Sequence, residues 1–144
     1  MKRAVGLIAS FFYVGYAPWI PGTFGSLAGA VLAWQLNPTL PYLLFFFSIL
    51  GFCVSAPAEQ FFESKDPKQF VMDEVCGMML SVLWLPHDWR LFAAGFVLFR
   101  FFDVLKPWPI SRIQSSRSPL SIMWDDLAAG AAVNVILQIA TRLL

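Results

Sequence analysis

The chain has 144 residues, of which 58% are hydrophobic and only 13% are charged, and its formal net charge is +1. A soluble globular domain usually contains about 45–50% apolar and about 25% charged residues, so this composition excludes an ordinary water-soluble monomer and indicates apolar surface that faces lipid or a partner chain. The small net charge gives no electrostatic basis for binding nucleic acid.

The N-terminal part of the chain contains an apolar segment and then a stretch rich in Gly and Pro. The apolar run over residues 4–14 follows Lys2 and Arg3, as at the start of a signal peptide. No small-residue cleavage pattern follows cleanly, so we expect this end to be retained. Two prolines within residues 15–26 prevent a continuous helix there, which predicts a loop.

The rest of the chain consists of helical segments separated by polar residues or prolines. We expect helices over residues 26–36, 42–56, 70–85, 91–105 and 123–144, and a polar, basic segment over 111–121. The 42–56 segment is the best candidate for a membrane span, since flanking residues can extend it towards the ~20 that a bilayer requires. Strand patterns are absent, so the sequence predicts an all-α, single-domain bundle of about five or six helices over residues 1–144, embedded in or associated with a membrane.

Charged residues inside apolar segments are the candidates for chemistry. They are Asp73, Glu74, Arg100, Asp103, Lys106, Asp125 and Asp126. Burying an unpaired carboxylate costs free energy. An ionisable group inside the membrane is therefore a candidate for a functional residue. Two acidic pairs, at residues 73–74 and 125–126, each precede an apolar helix, which is an unusual pattern in so uncharged a chain.

These acidic pairs predict a metal site. If the pairs meet, their carboxylates repel one another unless a divalent cation lies between them, and hard oxygen ligands suit Mg²⁺ or Mn²⁺. One pair alone would be explained by acids that complement a helix dipole. With two pairs and Asp103 as well, we favour a metal site. The expected ligands are Asp73, Glu74, Asp125 and Asp126.

Two basic residues could bind phosphate. Arg100, Asp103 and Lys106 are spaced i, i+3 and i+6 on one predicted helix. The simplest interpretation is a local ion pair between Arg100 and Asp103. We favour a cationic clamp, in which the guanidinium of Arg100 binds a phosphate through two hydrogen bonds and Lys106 supplies a point charge where Pro107 should end the helix.

The stretch at residues 21–26 is a second candidate for phosphate binding. Gly22 and Gly25 permit close backbone approach, while Thr23 and Ser26 add hydroxyl donors before a helix start that favours anions. An ordinary turn in which Thr23 or Ser26 caps the helix explains the same residues. The stretch lacks the Gly-Lys-Ser/Thr ending of a P-loop.

Several kinds of phosphatase can be excluded. Neither Cys53 nor Cys76 is followed closely by the Arg that a cysteine phosphatase requires, and His87 is the only histidine where a phosphohistidine lipid phosphatase needs two. The Asp-x-Asp nucleophile of haloacid-dehalogenase-type phosphatases is also absent. Metal-activated water would be the remaining simple route for a phosphatase.

Four sequence blocks resemble the motifs of the phosphatidylglycerophosphatase A family. They are Gly-Tyr-Ala-Pro-Trp-Ile-Pro-Gly-Thr-Phe-Gly-Ser at 15–26, Val-Met-Asp-Glu-Val-Cys-Gly-Met at 71–78, Phe-Arg-Phe-Phe-Asp-Val-Leu-Lys-Pro-Trp-Pro-Ile at 99–110 and Met-Trp-Asp-Asp-Leu-Ala-Ala-Gly at 123–130. The blocks occur in the family's order and together cover nearly the whole chain. The third block is unusually specific.

The resemblance implies hydrolysis of the phosphate monoester of phosphatidylglycerophosphate to give phosphatidylglycerol. It also implies Mg²⁺ dependence, a phospholipid substrate and a location in the bacterial inner membrane. The acids and bases named above, with Thr23 and Ser26, occupy the family's polar motif positions. Their individual catalytic roles are our inference from chemistry.

Two alternatives remain open at the sequence level. A non-enzymatic membrane bundle could use the same carboxylates to bind or conduct a divalent cation without turnover. A phosphatase for a soluble phosphate ester would have the same metal site without a lipid substrate. The number of metal ions and of membrane spans is also open, as is assembly into a homo-oligomer.

Overall fold

The computed structural model describes residues 1–114 and 118–143, and these residues form helices and no strands. The α-helices are α1 (Lys2–Ala9), α2 (Pro21–Gln35), α3 (Leu40–Phe61), α4 (Met72–Ser81), α5 (Trp89–Leu105), α6 (Ile110–Gln114) and α7 (Ser121–Leu143), with 3-10 helices at Val14–Tyr16 and Asn37–Thr39. The all-α prediction is confirmed. The described residues contain seven α-helices rather than five or six because the short α1 and α6 are helical as well.

The centre of the bundle is the short helix α4, which packs against α2, α3, α5 and α7. Eight of its ten residues are buried. Glycines on the neighbouring helices allow backbones to approach it closely: a Cβ at Gly29 of α2 would lie 2.7 Å from the carbonyl oxygen of Val75, and a Cβ at Gly130 of α7 would lie 2.3 Å from that of Gly77. The positions of α2 and α7 relative to α4 therefore depend on these glycines.

The start of α2 differs from the sequence prediction. The loop expected up to residue 26 ends at Ile20, and Pro21 is the first residue of the helix. Proline is tolerated there because its missing N–H would have no partner inside the helix, and its fixed φ already suits the first turn. The structure records no side-chain cap on Ile20, so the expected capping by Thr23 or Ser26 is wrong.

The boundaries between α4 and α5 also differ from the predicted ones. Helix α4 ends at Ser81 rather than near residue 85, and the side-chain amide of Asn134 in α7 donates to the carbonyl oxygens of Ser81 and Leu83 beyond that end. Helix α5 begins at Trp89 rather than 91, because Asp88 caps it by accepting a hydrogen bond of 2.8 Å from the N–H of Arg90.

Two further segments can be compared with the sequence prediction, one near the N-terminus and one around α6. The apolar run over 4–14 is helical only to Ala9. The polar, basic segment expected over 111–121 begins inside α6, and its central residues 115–117 lie outside the described part of the chain.

Within residues 1–114 and 118–143, two helices are long and apolar enough to cross a membrane. One extends from the preceding 3-10 turn through α3 (Asn37–Phe61), and the other is α7 (Ser121–Leu143). Helix α3 contains the expected 42–56 segment and leaves large apolar side chains uncovered, with Phe45 70% and Tyr42 77% exposed. Bare aromatic surface on this scale indicates contact with lipid, so the fold supports membrane association.

Candidate active site

Three helix N-termini and one C-terminus meet at one end of the bundle. Helices α2, α4 and α7 begin there, and α5 ends there. The acidic pairs, about fifty residues apart in sequence, come together as a result. Asp73, Glu74 and Asp126 each offer a carboxylate oxygen, and these three oxygens all lie within 4.8 Å of one another. We call these three residues the carboxylate cluster.

Two residues of the carboxylate cluster are buried, Glu74 is half-buried, and the three are only partly paired. Asp73 is 6% and Asp126 is 2% exposed. The N–H of Glu74 donates to Asp73 Oδ1 at 3.0 Å, but Glu74 Oε2 and Asp126 Oδ2 have no hydrogen-bond partner among the described residues. Buried polar atoms without partners are rare, because each one costs free energy. The unpartnered oxygens and the close spacing fit the hard-oxygen ligand set of a divalent cation.

Burial also changes the protonation of the cluster. Burial, reinforced by the charge of Glu74, raises the pKa of Asp73 well above its ordinary value. Burial raises the pKa of Glu74 as well, although its hydrogen bond with Asp73 acts in the opposite direction. Without a cation, therefore, burial and mutual repulsion disfavour the charged forms of these carboxyl groups.

Asp103 and Asp125 are paired with Arg100 of α5 and with Lys106, the residue that follows α5. Lys106 Nζ lies 2.5 Å from Asp125 Oδ2, 3.7 Å from Asp103 Oδ1 and 4.0 Å from Asp126 Oδ1. Arg100 donates a hydrogen bond to Asp103. Asp125, which the sequence predicts as a metal ligand, thus faces Lys106 beside the carboxylate cluster, and its role as a ligand stays a prediction.

The backbone at Lys106 explains how one lysine reaches several carboxylates. Helix α5 ends because Lys106 adopts a left-handed conformation (φ 43°) and Pro107 follows it. This conformation is uncommon for residues other than Gly, and it places Nζ against the start of α7. Burial lowers the pKa of Lys106, but the nearby charges of Asp126 and Asp125 outweigh this effect and raise the pKa, so the ammonium stays charged.

Helix α2 supplies the fourth side of the site. Ser26 is fully buried; its hydroxyl donates to the carbonyl oxygen of Gly22 at 2.9 Å and accepts a hydrogen bond from Arg100 at 3.5 Å. A Cβ at Gly22 would lie 2.5 Å from Glu74 Oε1, so the glycine lets that carboxylate lie against the start of α2. Gly25 packs against Val71, and Thr23 is half-buried in the first turn.

A polar cavity of about 320 Å³ leads to these groups from the surface. Glu74, Arg100 and Gly22 form its inner part, and Lys68 and Trp19 lie among the residues that line it. Sequence reasoning did not assign Lys68 to the site, because it lies in a charged patch that looks like an ordinary exposed loop. The feature that could have indicated a role for Lys68 is its position four residues before the start of α4.

The single histidine of the sequence lies away from the site. His87, to which the sequence gives little catalytic weight, is exposed in the turn before α5, at the opposite end of that helix from Lys106. Its ring stacks on Trp34 with ring centroids 3.7 Å apart.

Comparisons of the sequence with known proteins identify a family and several relatives. The family described as phosphatidylglycerophosphatase A matches residues 7–141. The chain is similar to the phosphatidylglycerophosphatase A of Escherichia coli, with 38% identity over 90% of this chain and 79% of that protein. It is similar to that of Haemophilus influenzae, with 36% identity over 96% of this chain and 90% of that protein. A Bacteroides thetaiotaomicron protein provisionally named a phosphatidylinositol-3-phosphatase is 29% identical over 93% and 91% of the two chains. No solved structure gives a significant match.

Proposed function

Because the chain belongs to the phosphatidylglycerophosphatase A family, we propose that it is a membrane-associated phosphatase that converts phosphatidylglycerophosphate to phosphatidylglycerol. One structural observation supports this proposal. Three carboxylates from two distant segments share one buried position with two unpartnered oxygens, beside an arginine that lines an open polar cavity. We further propose that residues 1–144 act as one domain located in the bacterial inner membrane.

We assign the cofactor site to Asp73, Glu74 and Asp126, with Mg²⁺ as the expected ion and Asp125 as an additional ligand. The ligand chemistry supports a hard divalent cation rather than a softer metal, because every candidate donor is a carboxylate oxygen. When bound, such an ion neutralises negative charge, polarises the phosphoryl group and makes water a stronger nucleophile at neutral pH.

The residues of α5 and α2 would bind the phosphate of the substrate. Arg100 can turn part of its guanidinium from Asp103 towards the cavity, where two parallel N–H donors match phosphate oxygens. Lys106 supplies a fixed positive charge at the inner edge of the site. Both cations stabilise the negative charge that the transition state spreads over the phosphoryl oxygens.

The start of α2 would complete the phosphate site. Its first turn carries the positive end of the helix dipole. The N–H of Thr23 already donates to the carbonyl oxygen of Ile20 at 3.1 Å, so we assign the N–H of Gly22 and the hydroxyl of Thr23 as donors to phosphate. We place Gly25 and Ser26 in the same site as supports, because Gly25 lets α2 approach α4 and Ser26 positions Arg100.

The test measures inorganic phosphate released by the purified protein from phosphatidylglycerophosphate in detergent micelles. We expect hydrolysis with Mg²⁺ and none in excess chelator. Asp126→Asn should lower kcat by about 100-fold or more, the typical loss when one preorganised charged group is removed from a catalytic site. Asp88→Asn is the matched control, because Asn also caps a helix and Asp88 lies at the far end of α5.

Three outcomes would contradict parts of the proposal. Full activity in chelator would exclude the metal, and full activity of Asp126→Asn would exclude the carboxylate cluster. Binding of Mg²⁺ with no phosphate release from any lipid phosphate monoester would favour the non-enzymatic cation-binding bundle. Turnover of glycerol phosphate or of a phosphatidylinositol phosphate above that of phosphatidylglycerophosphate would reassign the substrate.

A further inference from the structure

An apolar groove of about 410 Å³ runs between α2 and α5, outside the polar cavity. One wall is formed by Leu27, Ala30 and Val31 of α2, and the other by Ala93, Phe96 and Val97 of α5. Alanines on both walls keep the groove open, and several of the larger side chains are exposed, including Val97 at 64%. A groove of this kind accepts an apolar chain and offers few partners to polar groups.

The groove lies on the same helix faces as the phosphate-binding residues. On α5, residues 93, 96, 97 and 100 are spaced i, i+3, i+4 and i+7, so Arg100 follows the groove on the same face. On α2, Thr23 lies one turn before Leu27 in the same way. Arg100 lines the polar cavity and Val97 lines the groove, so on this face of α5 the two sites are neighbours about one helical turn apart.

The other end of the groove is held in a fixed shape. Trp34 stacks on His87, accepts a hydrogen bond of 2.9 Å from the His87 ring through its carbonyl oxygen, and meets Phe92 edge to face at 5.1 Å between ring centroids. Arg100 lies eleven residues after Trp89, which corresponds to about 16 Å of helix, since each residue adds ~1.5 Å. One leaflet of a bilayer is of similar depth, about half of the ~30 Å hydrocarbon core.

We propose that this groove binds one acyl chain of the lipid substrate while its head group occupies the polar cavity. The inference rests on the proposed function and adds a second binding site to it. The occupant follows from this adjacency, because a molecule that spans both sites must join a phosphate to a long apolar chain. Such a subsite would position the scissile phosphate relative to Arg100 and favour long-chain lipids over short-chain analogues.

The test fills the groove and varies the chain length of the substrate. Ala93→Phe places a ring two helical turns, or about 10 Å, from Arg100. Ala131→Phe is the matched control, because Ala131 is also an exposed alanine on an apolar helix but lies on α7, away from the groove. The activity of each protein is measured with dioleoyl and with dihexanoyl phosphatidylglycerophosphate in the same detergent, and Ala30→Phe serves as a second groove variant.

We expect both groove variants to lower kcat/KM for the dioleoyl substrate about tenfold, which corresponds to ~1.4 kcal/mol. The dihexanoyl substrate, whose chains are too short to reach Ala93, should be hydrolysed at the wild-type rate, which also shows that the variants are folded. Equal effects on both substrates, equal effects of Ala131→Phe, or a change in oligomeric state without a chain-length effect would overturn the proposal. Failure of the wild-type protein to hydrolyse either lipid would instead overturn the proposed function.

Discussion

The close backbone approach of α7 to α4 makes Gly130→Ala a sharp test of how the site is assembled. A Cβ at Gly130 would lie 2.3 Å from the carbonyl oxygen of Gly77, whereas carbon and oxygen in close backbone contacts are normally about 3.3 Å apart. Because the contacted atom belongs to the backbone of α4, side-chain rotation cannot relieve the clash. Helix α7 must therefore move by about 1 Å relative to α4.

This movement would separate the two halves of the carboxylate cluster. Asp126 lies one helical turn from Gly130, so we expect it to shift with α7 away from Asp73 and Glu74. A misplacement of about 1 Å costs roughly 100-fold in rate. The stability cost should be smaller, since overpacking costs about 1–3 kcal/mol while replacing Gly by Ala within a helix returns about 1 kcal/mol.

The assay compares phosphate release and the midpoint of thermal unfolding in the same detergent. Gly51→Ala is the control, because its added Cβ would first meet the flexible end of the Met123 side chain, 2.6 Å away, which can move aside. We expect near wild-type activity for Gly51→Ala and a loss of about 100-fold for Gly130→Ala. If Gly130→Ala is as active as the wild type, close packing of α4 and α7 does not set the geometry of the site.

Two further substitutions test individual groups. Glu74→Gln should abolish most activity yet raise the midpoint of thermal unfolding in metal-free buffer, because the neutral amide removes a buried charge next to Asp73 and Asp126. A lower midpoint would mean that this charge stabilises the metal-free fold. Arg100→Lys should lower kcat/KM at least about tenfold despite the conserved charge, because lysine lacks the planar guanidinium group that reaches Asp103 and Ser26. Unchanged kinetics would show that a point charge is sufficient at this position.

Much of the fold could be predicted from the sequence, as could the acidic residues that the structure brings together. In so apolar a chain, the acidic pairs at 73–74 and 125–126 had few roles available, and the structure brings three of their four carboxylates together. The helices were predictable because Gly, Pro and Asn mark most of their ends. The start of α2 was not, because Pro21 both breaks a preceding helix and begins a new one, and only tertiary context selects between these roles.

The pairing within the site depends on geometry that sequence spacing does not reveal. Asp125 and Asp126 are adjacent, yet one faces Lys106 and the other joins the carboxylate cluster. This division follows from the left-handed backbone at Lys106 and from the rotation of α7 about its axis, which close packing at Gly130 fixes. Lys68 reaches the cavity for a similar reason, since only the folded chain brings the segment before α4 next to Arg100.

A charge balance explains why cation and substrate should bind together. Six carboxylates lie in or beside the site, at residues 66, 73, 74, 103, 125 and 126, and three bases oppose them, at residues 68, 100 and 106. Three negative charges remain if every group is ionised. A phosphate monoester that carries nearly two negative charges would be repelled by such a site, and the helix dipoles of α2, α4 and α7 offset only about half a charge each. Divalent cations reverse this balance, so each ligand should strengthen the binding of the other by the same factor. Burial makes the charged carboxylates unfavourable unless a cation is bound. The same cation is needed for the phosphate to bind, so metal binding and phosphate recognition are coupled.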